Sequence, residues 1–112
     1  MAGQTGPQII SVRSTARSFE ALLDVRDCDK DSLKVCIDGE YIVVKGNKII
    51  IGSGESDLHA SIESPFTRRF KFSPSIPATN VSSELSSDGK LTIKGKAPPL
   101  LVPIKRSKAN DN

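Results

Sequence analysis

Tryptophan is absent from this chain, histidine, methionine and tyrosine occur once each, and there are two cysteines in 112 residues. Each scarcity removes a class of chemistry. Cys28 and Cys36 stand eight residues apart with no C-x-x-C spacing, so neither a zinc ribbon nor a dithiol redox motif is present. They read as ordinary reduced thiols, and Cys36 on a buried strand would be a small apolar filler. His59 has Glu55 and Asp57 close by, but a metal site needs a second nitrogen or sulfur ligand, so an exposed loop histidine is expected. No metal is implied. The serines include no G-x-S-x-G elbow, and Gly52-Ser53-Gly54 lacks the G-x-x-x-x-G-K-[ST] pattern of a phosphate-cradling loop. A serine nucleophile, ATP hydrolysis and a nucleotide cofactor are thereby set aside, and no enzymatic activity and no cofactor are expected.

Long apolar runs are also missing, which excludes a membrane helix. The first eight residues, MAGQTGPQ, have neither the basic start nor the apolar core of a secretory signal. A cytoplasmic or nuclear location, with no membrane association, is the expectation. What the chain does have is 37% hydrophobic and 26% charged residues, a balance suited to one soluble globular domain with a single core. The net charge of +3 is modest, and apart from Arg68-Arg69-Phe70-Lys71 and Lys105-Arg106-Ser107-Lys108 the cations are scattered. Nucleic-acid binding is not expected from that distribution.

Alternation of apolar and polar residues dominates, and no window carries a helical stripe. Phe19, Ala21, Leu23 and Val25 form one such set, as a half-buried strand requires. Leu33, Val35 and Ile37 form the next. After a turn at Asp38-Gly39-Glu40 a β-branched return strand covers 41–46, and Lys48-Ile49-Ile50-Ile51 can extend it. Residues 58–72 read as extended, with Phe66, Phe70 and Phe72 as anchors; Pro65 removes a backbone donor and favours an edge. Val81, Ser83 and Leu85 alternate into the Ser86-Ser87-Asp88-Gly89 turn, and Leu91 and Ile93 mark the partner strand. Short strands at this spacing predict an all-β sandwich. Beyond Pro98-Pro99 lies an apolar stretch, Leu100-Leu101-Val102-Pro103-Ile104, whose prolines keep it out of a central strand.

Four segments in order, Phe19-Glu20-Ala21-Leu22-Leu23-Asp24-Val25, Asp31-Ser32-Leu33-Lys34-Val35, Phe66-Thr67-Arg68-Arg69-Phe70-Lys71-Phe72 and Leu85-Ser86-Ser87-Asp88-Gly89-Lys90-Leu91-Thr92-Ile93, resemble the α-crystallin domain of animal small heat-shock proteins. The resemblance implies an immunoglobulin-like β-sandwich over residues 17–98, a short flexible N-terminal segment over 1–16 and a C-terminal tail over 99–112. It further implies an apolar edge groove formed by Leu33, Val35 and Ile37 on one strand and by Val81, Ser83 and Leu85 on another. Val102-Pro103-Ile104 is similar to the family's aliphatic-x-aliphatic anchor, and its spacing of two suits such a groove. Arg68, Asp57 and Phe66 match the dimer-forming region, with an inter-protomer pair between Arg68 and Asp57; Arg69 reads as a solvated surface arginine.

By the same resemblance the chain is expected to be an ATP-independent holdase that binds partly unfolded client proteins and self-associates as a homodimer or small oligomer. Two departures stand out. Pro65 cannot donate within the would-be dimer strand, and the segment before the domain has only Ile9, Ile10 and Val12 to offer a client. An alternative from another class is an adaptor that uses the same groove for one partner's aliphatic motif. A p23-like co-chaperone shares the architecture but not the arginine strand or the anchor.

Overall fold

The computed structural model describes residues 6–51 and 61–107. Seven strands, β1 (Gln8–Ser14), β2 (Ser18–Asp24), β3 (Lys34–Asp38), β4 (Tyr41–Ile51), β5 (Ser61–Lys71), β6 (Val81–Leu85) and β7 (Lys90–Lys96), pair antiparallel in two sheets. One sheet has the order β1-β2-β7-β6 and the other β3-β4-β5. The alternating apolar sets turn inward to make a single core. Phe19, Ala21 and Leu23 from β2, Leu91 and Ile93 from β7, Ile42 and Val44 from β4, and Phe66 and Phe70 from β5 are all buried in it. The rings of Phe19 and Phe70, 5.9 Å apart and tilted, join the two sheets directly.

Local chemistry sets the turns. The β3–β4 connection is two residues long and places Gly39 at φ 61°, a conformation that costs a residue with a Cβ. Gly89, at φ 85°, closes the β6–β7 turn with its carbonyl accepting the Val25 amide at 2.8 Å. Gly46 is a close-approach position: a Cβ there would lie 2.8 Å from Leu33 and 3.1 Å from the Phe66 ring.

Beside that ladder, the backbone of Asp27 and Asp29 pairs with Ile49 and Asn47 and carries the loop after β2 onto β4. On the loop, Arg26 grips Asp24 through Nε and Nη2 at 3.0 and 2.9 Å, and these bonds hold the Asp24 carboxyl below the usual carboxylate range. Cys28 is buried, and desolvation pushes its thiol pKa up, whereas Cys36 is exposed on the outer face of β3. Cys36 is therefore not the buried filler that the sequence suggested: β3 covers only one of its faces, and Val35 and Ile37 take that side. Iodoacetamide at neutral pH is expected to alkylate Cys36 and to spare Cys28 until the protein is unfolded, as peptide mass mapping would read; equal labelling of the two would contradict this packing.

The return strand extends as expected, Pro65 takes the expected edge, and one further expectation changes. β4 runs unbroken over eleven residues, through Gly46 and Asn47, and pairs with β5 from Tyr41↔Lys71 to Ile51↔Ser61. Pro65 is accommodated because β5 is an edge strand, where a missing donor leaves no central ladder broken. The stretch before residue 17, expected to be a flexible segment, instead supplies β1. Its adjacent Ile9 and Ile10 hide the period of two, and a bulge between Ile9 and Ser11 resolves it. Ile9 lies opposite Leu23 and Val12 opposite Ala21, so both isoleucine and valine fall on the core side although they are three residues apart.

Candidate functional site

Each sheet ends in strands paired on one side only: β1 and β6 in the first, β3 and β5 in the second. Arg68, on β5, reaches the backbone just before β1, its Nη2 donating to the Pro7 carbonyl at 3.1 Å. The β1 and β5 edges therefore share one side of the sandwich. Because the sheets stack, the β6 and β3 edges lie on the opposite side.

The register shows which way their side chains face. Val35 and Ile37 lie opposite Val44 and Ile42, which are buried, so they too point inward; Val81, Ser83 and Leu85 lie opposite Gly95, Ile93 and Leu91 and share their face. Leu33 packs beside Gly46. Leu33, Val35, Ile37 and Val81 are half-buried against the core, while Ser83 is exposed and Leu85 retains 39% of its surface. Two short edge strands from different sheets thus present aliphatic side chains inward and free main-chain groups outward. That combination can bind an extended segment through backbone hydrogen bonds while every second side chain enters the apolar margin.

The tail leaves the sandwich close to the Val81 end of this edge. Asn80 Nδ2 donates to the Lys96 carbonyl at 2.9 Å, Ala97 is buried with its amide on the Arg17 carbonyl at 2.8 Å, and the Arg17 guanidinium also holds the Pro98 carbonyl. Past that point contact is lost: Leu100, Leu101, Val102 and Ile104 are 72–90% exposed. Val102 and Ile104, with Pro103 between them, do not rest on their own sandwich.

Of the residues expected at a dimer contact, Phe66 is instead a core residue, 6% exposed, because even-numbered positions of β5 face the interior. Arg68 shares that parity and is half-buried on the inner side, whereas Arg69 points outward, 3.8 Å from Asp38 and over the Tyr41 ring. Asp57 and His59 lie outside the described residues. The contact between Arg68 and Pro7 was not legible in the sequence, since it joins residues 61 positions apart and no pattern marks Pro7. A hollow of about 570 Å³ on the outer face of the four-stranded sheet, lined among others by Arg13, Glu20 and Lys94, is separate from the groove and of mixed charge.

Residues 11–108 match the model of the Hsp20/alpha crystallin family. Among curated proteins the chain is 30% identical over 88 residues to protein lethal(2)essential for life of Drosophila melanogaster, covering 79% of this chain and 45% of that protein. It is 30% identical over 93 residues to the alpha-crystallin B chain of Aquarana catesbeiana (79% and 51%) and 35% identical over 83 residues to heat shock protein 23 of Drosophila melanogaster (74% and 42%). The chain thus spans about half the length of these relatives. Among solved structures, a small heat-shock protein from Xylella fastidiosa superposes with a TM-score of 0.68 at 20% identity, covering 94% of this chain and 97% of that one. The rat alpha crystallin domain gives 0.61 at 24% identity, covering 86% and 96%. At these identities the structural likeness speaks for the fold.

Proposed function

Because the chain belongs to the Hsp20/α-crystallin family, a family of chaperones, we propose that it is itself an ATP-independent holdase, covering apolar segments of partly unfolded proteins before they aggregate. The observation that carries this reading is the pair of open edges at β3 and β6, with Leu33, Val35, Ile37 and Val81 at the rim of the core and main-chain groups left unpaired beside them. Burial of apolar surface drives the binding, roughly 25 cal/mol for each Å² removed from water. A groove that admits two or three aliphatic side chains gives weak, exchangeable contacts, and several such contacts on one client add up. The chain does no covalent chemistry in this reading.

Self-association belongs to the same reading. The free edge of β5, with Arg68 and a facing Asp57 from a second copy, would form a dimer, and Val102 and Ile104 of one copy would enter the groove of another. Pro98 and Pro99 support delivery to a neighbour, since a stiff dipeptide directly after the anchored Ala97 opposes a turn back.

Light scattering of two unrelated heat-labile enzymes, each with rising amounts of this protein and no nucleotide, tests the proposal. Suppression of both near an equimolar ratio is the expected result. Failure with both would remove the general holdase and leave the adaptor, which recognises one partner's aliphatic-x-aliphatic motif through the same groove.

A further inference from the structure

The opposite side of the sandwich carries a second feature, at β1. All seven residues of this strand are exposed, which holds for no other strand among the described residues. Ile9 and Val12, although turned toward the core side, keep 38% and 44% of their surface. Side-chain burial therefore adds little to the ladder with β2, and the bulge at Ile10 interrupts that ladder. A strand with few buried contacts is among the first parts of a fold to open.

What holds β1 most visibly is its entry. Pro7 is buried, its carbonyl accepts Nη2 of Arg68 at 3.1 Å, and Gly6 packs so closely that a Cβ there would stand 2.7 Å from Arg68 Nε. The guanidinium thus works as a latch on the main chain, made from the neighbouring sheet. Behind the latch lies β2, with Phe19, Ala21 and Leu23 buried on its inner side. Were β1 to leave, the hydrogen-bonding edge of β2 and this apolar floor would be uncovered together.

We propose that β1 is a displaceable strand held by Arg68, and that the edge of β2 it vacates accepts an extended aliphatic segment of a partly unfolded chain. The proposal rests on the holdase reading for the source of that segment. β1 itself, seated in the structure, defines what fits. The site takes an extended segment with aliphatic side chains opposite Leu23 and Ala21, a basic residue opposite Glu20 where β1 has Arg13, and a main-chain carbonyl at the place of Pro7. Every polypeptide can supply that carbonyl, so the latch does not select for sequence; the two floor positions and Glu20 do.

The probe is a fluorescent peptide with the sequence of residues 7–14, PQIISVRS, followed by anisotropy. A tether is built by Ser11→Cys with Leu22→Cys, directly opposed on the outer face and outside the residues that select the segment, in a Cys36→Ser background. The reduced protein is expected to take up the peptide, the oxidised one to lose at least about tenfold in affinity, and reductant to restore it. Hydrogen exchange of β1 amides should be at least ~10-fold faster than that of β2 and β7, and Arg68→Ala should speed it about tenfold more by removing a bond to a charged donor. Equal uptake by oxidised and reduced protein, or exchange of β1 only in step with β2 and β7, overturns the proposal. The tether keeps the test decisive even if Arg68→Ala does not fold. Peptide uptake without suppression of aggregation would end the holdase reading alone, and suppression without uptake would end the displaceable strand alone.

Discussion

Replacing Leu23 with alanine is expected to lower stability by about 3 kcal/mol, within the usual range for a fully buried leucine, and to lower Tm by roughly 10–20 °C. Leu23 is 0% exposed, sits on a strand paired on both sides, and belongs to the cluster that joins the two sheets. Truncation there removes apolar transfer energy and leaves a cavity that neither sheet can close without breaking its own ladder. Leu101→Ala is the control: at 90% exposure the same chemical change should cost no more than about 0.5 kcal/mol. Thermal or urea unfolding of the two variants decides the matter. Equal losses would mean that the core does not lie between β2 and β4.

The second large effect concerns assembly rather than folding. Val102→Ser with Ile104→Ser should reduce the solution mass to that of a dimer, measured by size-exclusion chromatography with light scattering, while far-ultraviolet circular dichroism and Tm stay within error of the parent. The two side chains are 82% and 72% exposed, so the isolated sandwich loses almost nothing when they become polar. If they enter a neighbour's groove, each is worth about 1.5–3 kcal/mol of burial, and losing both weakens that contact by two to four orders of magnitude. An unchanged mass would take the tail out of assembly.

Both predictions draw on features that were legible in different degrees. The alternation in residues 19–25, 33–37 and 81–85 identified three inward-facing sets, because a period of two is the same in the chain and in the strand. The inward face of Leu33, Val35 and Ile37 and of Val81 and Leu85 was legible for the same reason, as was Pro65 at an edge. β1 was not: its bulge makes two core-facing residues three positions apart, which is indistinguishable from an irregular segment until β2 supplies the register. Phe66, expected at a dimer contact, lies in the core. Nothing in Phe66-Thr67-Arg68 says which parity of β5 is inner, and the pairing of Phe66 with Gly46, whose missing side chain makes room for the ring, settles it.

Composition and alternation alone were enough to establish an all-β chain with one core and, β1 apart, its strand boundaries to within a few residues. These are local properties, set by which neighbours along the chain are apolar. Which edges stand open, which of them lie side by side, and that Arg68 turns inward to hold the Pro7 carbonyl depend on how two sheets stack and which strands end them. Such relations join residues far apart along the chain through space-filling and hydrogen bonding, and no spacing within the sequence encodes them until the sandwich has closed.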